Sequence, residues 1–205
     1  MPKRRNFGAE PGRIALIHAL AHIELNAIDL GWDIVVRFSD EGLPCQFFDD
    51  WAGVAAEEAE HFALLSTRLA ALGSDYGALP AHDGLWEAAM ATAGDLLARL
   101  AVVPLVLEAR GLDVSPEIIR RLEHLGDHDS AAILERIYRD EIGHVAVGAR
   151  WFDILCRERG LDPAAVFRDR VRRYFTGVLK PPFNRAARDR AQFPSRYYEP
   201  LAEAG

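Results

Sequence analysis

Two short motifs pair a carboxylate with an imidazole at helical spacing: Glu58-x-x-His61 and Glu141-x-x-His144. Residues three apart lie on one face of an α-helix, so the two side chains of each motif can grip the same ion. One such motif carries little weight by itself. The register with other carboxylates carries more. Glu24 lies 34 residues before Glu58, and Glu108 lies 33 before Glu141. Each half of the chain therefore supplies a lone Glu on one helix and a Glu-x-x-His on the next. That is the ligand set of a carboxylate-bridged di-metal site in a four-helix bundle.

The surroundings fit this reading. Glu108 is the single charge in Leu100-Ala-Val-Val-Pro-Leu-Val-Leu-Glu-Ala109. A carboxylate buried there is costly unless it is neutral or holds a cation. Glu24 shares a helical face with Ile17, Ala21, Ile28 and Gly31. Taken singly, each Glu reads equally well as half of a salt bridge on a helix surface. Glu57 and Asp140 precede the two motifs, where each either accepts the second N–H of a metal-bound imidazole or faces solvent. His18 and His22 form another i,i+4 pair, but His22 lies ~200° around the helix from Glu24, so the pair reads as structural. Tyr138 precedes Glu141 by one turn and reads as a core tyrosine, with a redox-active phenol as the alternative. Trp32, Trp51, Trp86 and Trp151 are expected in the core.

In the expected site each His holds one metal, Glu58 and Glu141 bridge, and Glu24 and Glu108 are terminal. Six protein ligands on two ions leave open positions for O2 or peroxide. Carboxylates dominate and thiolates are absent, which favours iron over zinc and leaves manganese as the alternative. The expected cofactor is thus two metal ions, with Glu24, Glu58, Glu108 and Glu141 as the catalytic carboxylates. The leading expectation is a di-iron oxygenase or oxidase acting on a small organic or RNA substrate, with a separate electron donor. A ferroxidase or peroxide scavenger and a non-catalytic metal-binding protein are the rival readings.

The elements that must position these residues are helices. Pro11 suits a first turn, and apolar residues at helical spacing run on until Gly42 and Pro44 end the helix. A second helix is expected from an N-cap at Asp49 or Asp50 to Gly73, followed by a turn-rich connector over Ser74 to His82. Helical character resumes at Asp83. If the second and third helices run parallel, the intervening link must cross the length of the bundle. A helix 3 beginning at Asp83 leaves about ten residues to span roughly 60 Å, which they cannot. A break near Ala91 to Gly94 is therefore predicted, with Asp83–Met90 a short helix in the crossover. Pro104 should bend helix 3. Ser115-Pro116 predicts a new helix start, and a further long helix runs from about Ser130 to Gly160. Asp162-Pro163 opens another to about Thr176. Beyond it Pro181, Pro182, Pro194 and Pro200 predict an extended tail. No stretch shows period-2 alternation, so the expected fold is all-α. Residues 1–160 would form the di-metal bundle, and 161–205 a C-terminal helix and basic Pro-rich tail packed on it.

Composition bounds the function classes. The chain has 205 residues, of which 50% are hydrophobic, and a net charge of −7. The charge disfavours general nucleic-acid binding. Between Arg168 and Arg190, however, eight Lys/Arg face two Asp, giving +6 and leaving −13 elsewhere. That stretch reads as a solvated basic face or as a landing strip for a phosphate or tRNA. No uninterrupted apolar run approaches the ~20 residues of a membrane span, so no membrane association is expected. Basic Met1-Pro2-Lys3-Arg4-Arg5 is not followed by the apolar stretch of a secretory signal, and a cytoplasmic address is the default. Cys45 and Cys156 are the only cysteines and read as ordinary reduced thiols. A homodimer is compatible with these features.

The order Glu, Glu-x-x-His, Glu, Glu-x-x-His is similar to that of bacterioferritins, ribonucleotide reductase small subunits and bacterial multicomponent monooxygenases. More closely, HALAHIELNAIDL, FFDDWAGVAAEEAEHFALL, YGALPAHDGLWEAA, LEARGLDVSP and YRDEIGHVAVGARWF look like an uncharacterised bacterial family of ferritin-like proteins. LEARG also resembles a string in the ferritin-like tRNA hydroxylases. The likeness to the uncharacterised family covers nearly the whole chain. It implies a ferritin-like four-helix bundle with a long crossover, and metal ligands at Glu24, Glu58, His61, Glu108, Glu141 and His144.

Overall fold

The computed structural model describes residues 8–202, so the basic N-terminal stretch lies outside the described residues. Every regular element among them is helical. They are α1 (Glu10–Arg37), α2 (Cys45–Ala71), α3 (Gly84–Ala91), α4 (Leu96–Val102), a π-helical segment (Val103–Glu108), α5 (Ala109–His124), α6 (His128–Glu158), α7 (Pro163–Tyr174), α8 (Arg185–Arg190) and α9 (Glu199–Ala202). The chain divides into two compact units. Among the described residues the first comprises 8–84 and 117–137, and the second 85–116 and 138–202.

The first unit is built on the α1–α2 hairpin. A Cβ added at Gly31 would lie 3.0 Å from the Cβ of Ala55, so the glycine lets the two helices approach closely. Glu24 meets His61 on the same pair. Seven residues back along α1 thus match six forward along α2, which fixes the helices as antiparallel. Ile17, Ala21, Leu30 and Ile34 of α1 and Phe47, Trp51, Leu65 and Leu69 of α2 are buried. By length and composition α1 could cross a membrane, contrary to the sequence expectation: an 18-residue window reaches a mean hydropathy of 1.3. Yet 61% of that window is buried within the protein, and the buried set includes His18, Glu24 and Asn26.

Helix α2 starts earlier than expected. Pro44, extended at φ −68° and ψ 151°, takes the N-cap position. Its missing N–H costs nothing there, and the earlier start places Phe47, which is completely buried, on the helix. Asp50 instead accepts a bond from Gln46 Nε2 at 2.9 Å. At the other end Gly73 takes a left-handed φ of 72°, and Ser74 N–H reaches back to the Leu69 carbonyl. That is the closing pattern of a Schellman motif. The connector beyond is tied to α1 by the two histidines assigned a structural role. His22 Nδ1 lies 2.9 Å from the Tyr76 hydroxyl, and His18 Nε2 accepts the Gly77 N–H at 3.0 Å. Asp127 caps α6 by accepting the Ser130 N–H, and Arg68 Nη2 donates to it at 2.7 Å. Burial works against the Asp127 carboxylate, but the bonds from Ser130 and the Arg68 charge outweigh it and lower its pKa.

In the second unit the break between α3 and α4 falls at residues 92–94, as the crossover geometry predicts. Fully buried Arg99 holds it, donating to Thr92 Oγ1 at 2.9 Å and to the Ala89 carbonyl at 2.6 Å. Asp95 caps α4 by accepting the Ala98 N–H, and it pairs with Arg170 of α7 at 2.8 Å. Pro104 does more than bend the helix: the segment from Val103 to Glu108 winds as a π-helix, with Ala109 N–H bonded to the Pro104 carbonyl. A proline deprives the carbonyl four residues back of its partner, and a wider turn relieves the clash of its ring.

Two expectations about this region are corrected. Ser115-Pro116 does not start a helix, because α5 runs through it. The Leu112 carbonyl, which Pro116 cannot bond, accepts instead from Asn184 Nδ2 at 3.0 Å. The tail is not wholly extended either. It forms α8 and α9, separated from α7 by a segment with a cis Pro181–Pro182 bond, and it buries Phe193, Tyr197 and Tyr198. Asp162 does cap α7, accepting the Ala165 N–H at 2.7 Å. Of the four tryptophans, Trp51 and Trp151 are buried, Trp86 is half-buried, and Trp32 is 49% exposed. Trp32 follows Gly31, and successive helical positions are ~100° apart, so the residue after the tight contact turns outward.

The two thiols differ in environment. Cys45 is exposed, whereas burial and the neighbouring Asp153 carboxylate push the Cys156 thiol up to about 11. Iodoacetamide on the native protein at pH 8 should therefore alkylate Cys45 alone, with Cys156 reacting only after denaturation. Mass spectrometry showing equal native labelling of both would contradict the packing around Cys156.

Candidate metal centre

In the first unit three of the expected ligands converge. Helix α1 carries Glu24 and α2 carries Glu58 and His61, one turn apart on the face that packs on α1. His61 Nδ1 lies 3.2 Å from Glu58 Oε2 and 3.6 Å from Glu24 Oε2. Their ligand atoms all lie within 4.8 Å of one another. Glu58 and His61 are fully buried and Glu24 is 5% exposed. Two carboxylates this close and this dry repel one another strongly, and a divalent cation among them removes that cost. The donor set, two hard oxygens and a borderline nitrogen, suits iron, manganese or zinc. Glu57, by contrast, is exposed, which agrees with the solvent-facing alternative for that residue.

In the second unit Glu141 and His144 form the matching pair on α6, with His144 Nδ1 3.5 Å from Glu141 Oε1. His144 is 1% exposed, and Glu141 and Glu108 are half-buried. Two contacts fix the register around Glu108. A Cβ added at Gly148 would lie 2.7 Å from the Cβ of Pro104, so the π-segment rides directly on α6 there. Farther along, Asn184 Nδ2 donates both to the Leu112 carbonyl and to the Tyr138 hydroxyl. Eight residues forward from Pro104 thus match ten back from Gly148, an antiparallel pairing. Glu108 stands midway between Pro104 and Leu112, level with Glu141 and His144. A glycine one turn from the ligand pair admits the close approach, as Gly31 does in the first unit. Tyr138 is half-buried and its phenol is engaged by Asn184.

The structure also shows residues that local sequence patterns do not reveal. The Asp113 side chain is completely buried and accepts from Arg188 Nε at 2.9 Å and Arg188 Nη2 at 2.7 Å. It also takes the Asn184 N–H at 2.9 Å. This bidentate pair locks α8 onto α5 on the helix turn that follows Glu108. Its members lie 75 positions apart, so no short motif could have announced it. Part of the basic stretch is likewise consumed internally, since Arg170 pairs with Asp95 and Arg185 with Glu199.

Fold and site together describe an all-helical protein with a buried Glu/His cluster able to bind a metal ion. The chain belongs to the DUF455 family of proteins of unknown function, whose sequence model matches residues 1–199. An uncharacterised protein of Haemophilus influenzae is 44% identical over 197 residues, covering 93% of this chain and 68% of that protein. No solved structure matches the chain.

Proposed function

We propose that this chain is a ferritin-like di-iron carboxylate protein whose two ions are held by Glu24, Glu58, His61, Glu108, Glu141 and His144. The observation that carries the reading is the convergence of Glu24, Glu58 and His61 in a buried cluster. The same ligand order recurs in the second unit, where Glu141 and His144 pair. Manganese is the alternative metal, because nothing in an oxygen- and nitrogen-donor set separates the two. A bound iron pair supplies the redox chemistry for activating O2. The chain's own contribution is to hold carboxylates in a dry pocket, so that ligation replaces their hydration, and to fix both imidazoles on rigid helices.

Of the activities open to such a protein, an oxygenase or oxidase fits best, because much of the chain is spent outside the metal-binding helices. The connector, α7 and the tail build surfaces that mere iron storage does not need. A small organic or RNA substrate, a separate electron donor and a cytoplasmic location belong to this reading. Anaerobic loading with Fe(II) followed by O2 addition tests it. Saturation at two irons per chain, with O2 uptake that rises when a substrate is present, is the expected result. Uptake of many irons per chain would instead identify a ferroxidase. Two irons with no O2 reaction at all would leave a metal-stabilised binding protein.

A further inference from the structure

The second unit contains a cavity of about 280 Å³ beside the π-segment. Pockets that hold small molecules run from ~300 Å³ upward, so this one suits a compact ligand. Its apolar wall includes Leu105, Phe175, Leu179 and Phe183. Its polar lining is unusual in sign: Arg110, Lys180 and Arg188 face a single carboxylate, Asp113, leaving a net charge of +2.

Arg188 makes this more than a wet surface groove. It is only 3% exposed; its Nε and Nη2 donate to Asp113, and Nη2 also to the Ala109 carbonyl. Its Nη1 is buried without an acceptor. Burying an unmatched guanidinium donor is costly, and an anionic ligand oxygen is the partner that best repays it. The aromatic rings of Phe183 and Tyr198 flank the guanidinium, with centroids 5.1 and 4.4 Å from its carbon, and hold it in place. Arg110 Nη1 is fixed nearby by the Lys180 carbonyl at 2.7 Å and by Asp113 Oδ2 at 3.3 Å, and Lys180 itself is exposed.

We propose that this cavity binds a small amphipathic organic anion, with its acid group drawn to Arg110, Lys180 and Arg188 and its apolar body against Leu105, Phe175 and Leu179. The binding claim stands on the cavity alone. That the ligand is the substrate rests on the di-metal reading, since Leu105, Val106 and Leu107 of the wall lead directly into Glu108.

Isothermal titration of the full chain, metal-free and iron-loaded, with octanoate, octyl phosphate and 1-octanol tests the proposal. The expected result is one site per chain for at least one of the two anions, bound at least ~10-fold more tightly than the alcohol. Which anion binds distinguishes a carboxylate from a phosphate head. Lys180→Glu, a change at an exposed side chain that should leave the melting temperature unaltered, should weaken the anion by ~10-fold or more. Equal binding of 1-octanol, no binding of either anion, or unchanged affinity in Lys180→Glu would overturn the proposal. Anion binding by protein that takes up no metal would keep this site while sinking the di-metal reading.

Discussion

Asp113→Ala should lower the unfolding free energy by about 3–5 kcal/mol, the cost of leaving a buried charge without its partner. The substitution removes the two hydrogen bonds from Arg188 to a carboxylate, leaving its 3% exposed side chain only the Ala109 carbonyl, and it removes the acceptor for the Asn184 N–H. Phe183, Phe193 and Tyr198 pack around the guanidinium and keep it from swinging out to bulk solvent for new partners. The loss should also detach α8, so the Leu112 carbonyl would lose its Asn184 cap and α5 would weaken where it runs through Pro116. Urea denaturation measures the effect. The double variant Asp113→Leu/Arg188→Met should recover a large part of the stability, because replacing both members of a buried pair by apolar groups is often close to neutral. A single variant within about 1 kcal/mol of the parent would show that this pair does not hold the second unit together.

Glu58→Gln should have opposite effects on the metal-free and metal-loaded protein. Glu58 is fully buried, and it shares His61 with Glu24. Without a metal, removing one of two adjacent carboxylates relieves repulsion, so the variant should melt at the same temperature as the parent or higher. With metal the order reverses. A ligand present at 100 times its dissociation constant adds about 2.7 kcal/mol to the stability of a one-site protein. An amide is a much poorer ligand than a carboxylate, so most of that gain should vanish. Melting curves with and without anaerobic Fe(II) decide it. A variant that is less stable than the parent without metal, and equally stabilised by iron, would mean that Glu58 serves packing alone. A functional site held at the expense of apo stability is the usual trade in such centres.

Much of the helical framework was legible because its signals are local. Gly73 acts through its own backbone and Asp162-Pro163 through a side-chain cap and a fixed φ, and the structure places a helix end and a helix start there. The break at residues 92–94 followed from chain-length arithmetic once the second and third helices were taken to run parallel. The ligand cluster of the first unit was readable because helical spacing converts sequence intervals into faces. Where the sequence misled, a distant residue had altered the local balance. Pro116 looked like a helix start, and it stays inside α5 because Asn184, far along the chain, satisfies the carbonyl it abandons. The prolines of the tail suggested an extended strap, yet Asn184 caps α8 by accepting the Ala187 N–H. The Asp113–Arg188 pair and the cavity beside it were invisible for the same reason. Trp32 was misplaced because apolar character was read without its angle on the helix.

The measurement that bears most directly on the di-metal claim is elemental analysis of protein purified without chelators, comparing the parent with His61→Ala and His144→Ala. The account predicts about two irons, or two manganese, per parent chain and a clear loss in each variant, because each imidazole belongs to the site. Parent protein free of metal, with a melting temperature that Fe(II) does not change, would contradict the account and return the six residues to structural duty.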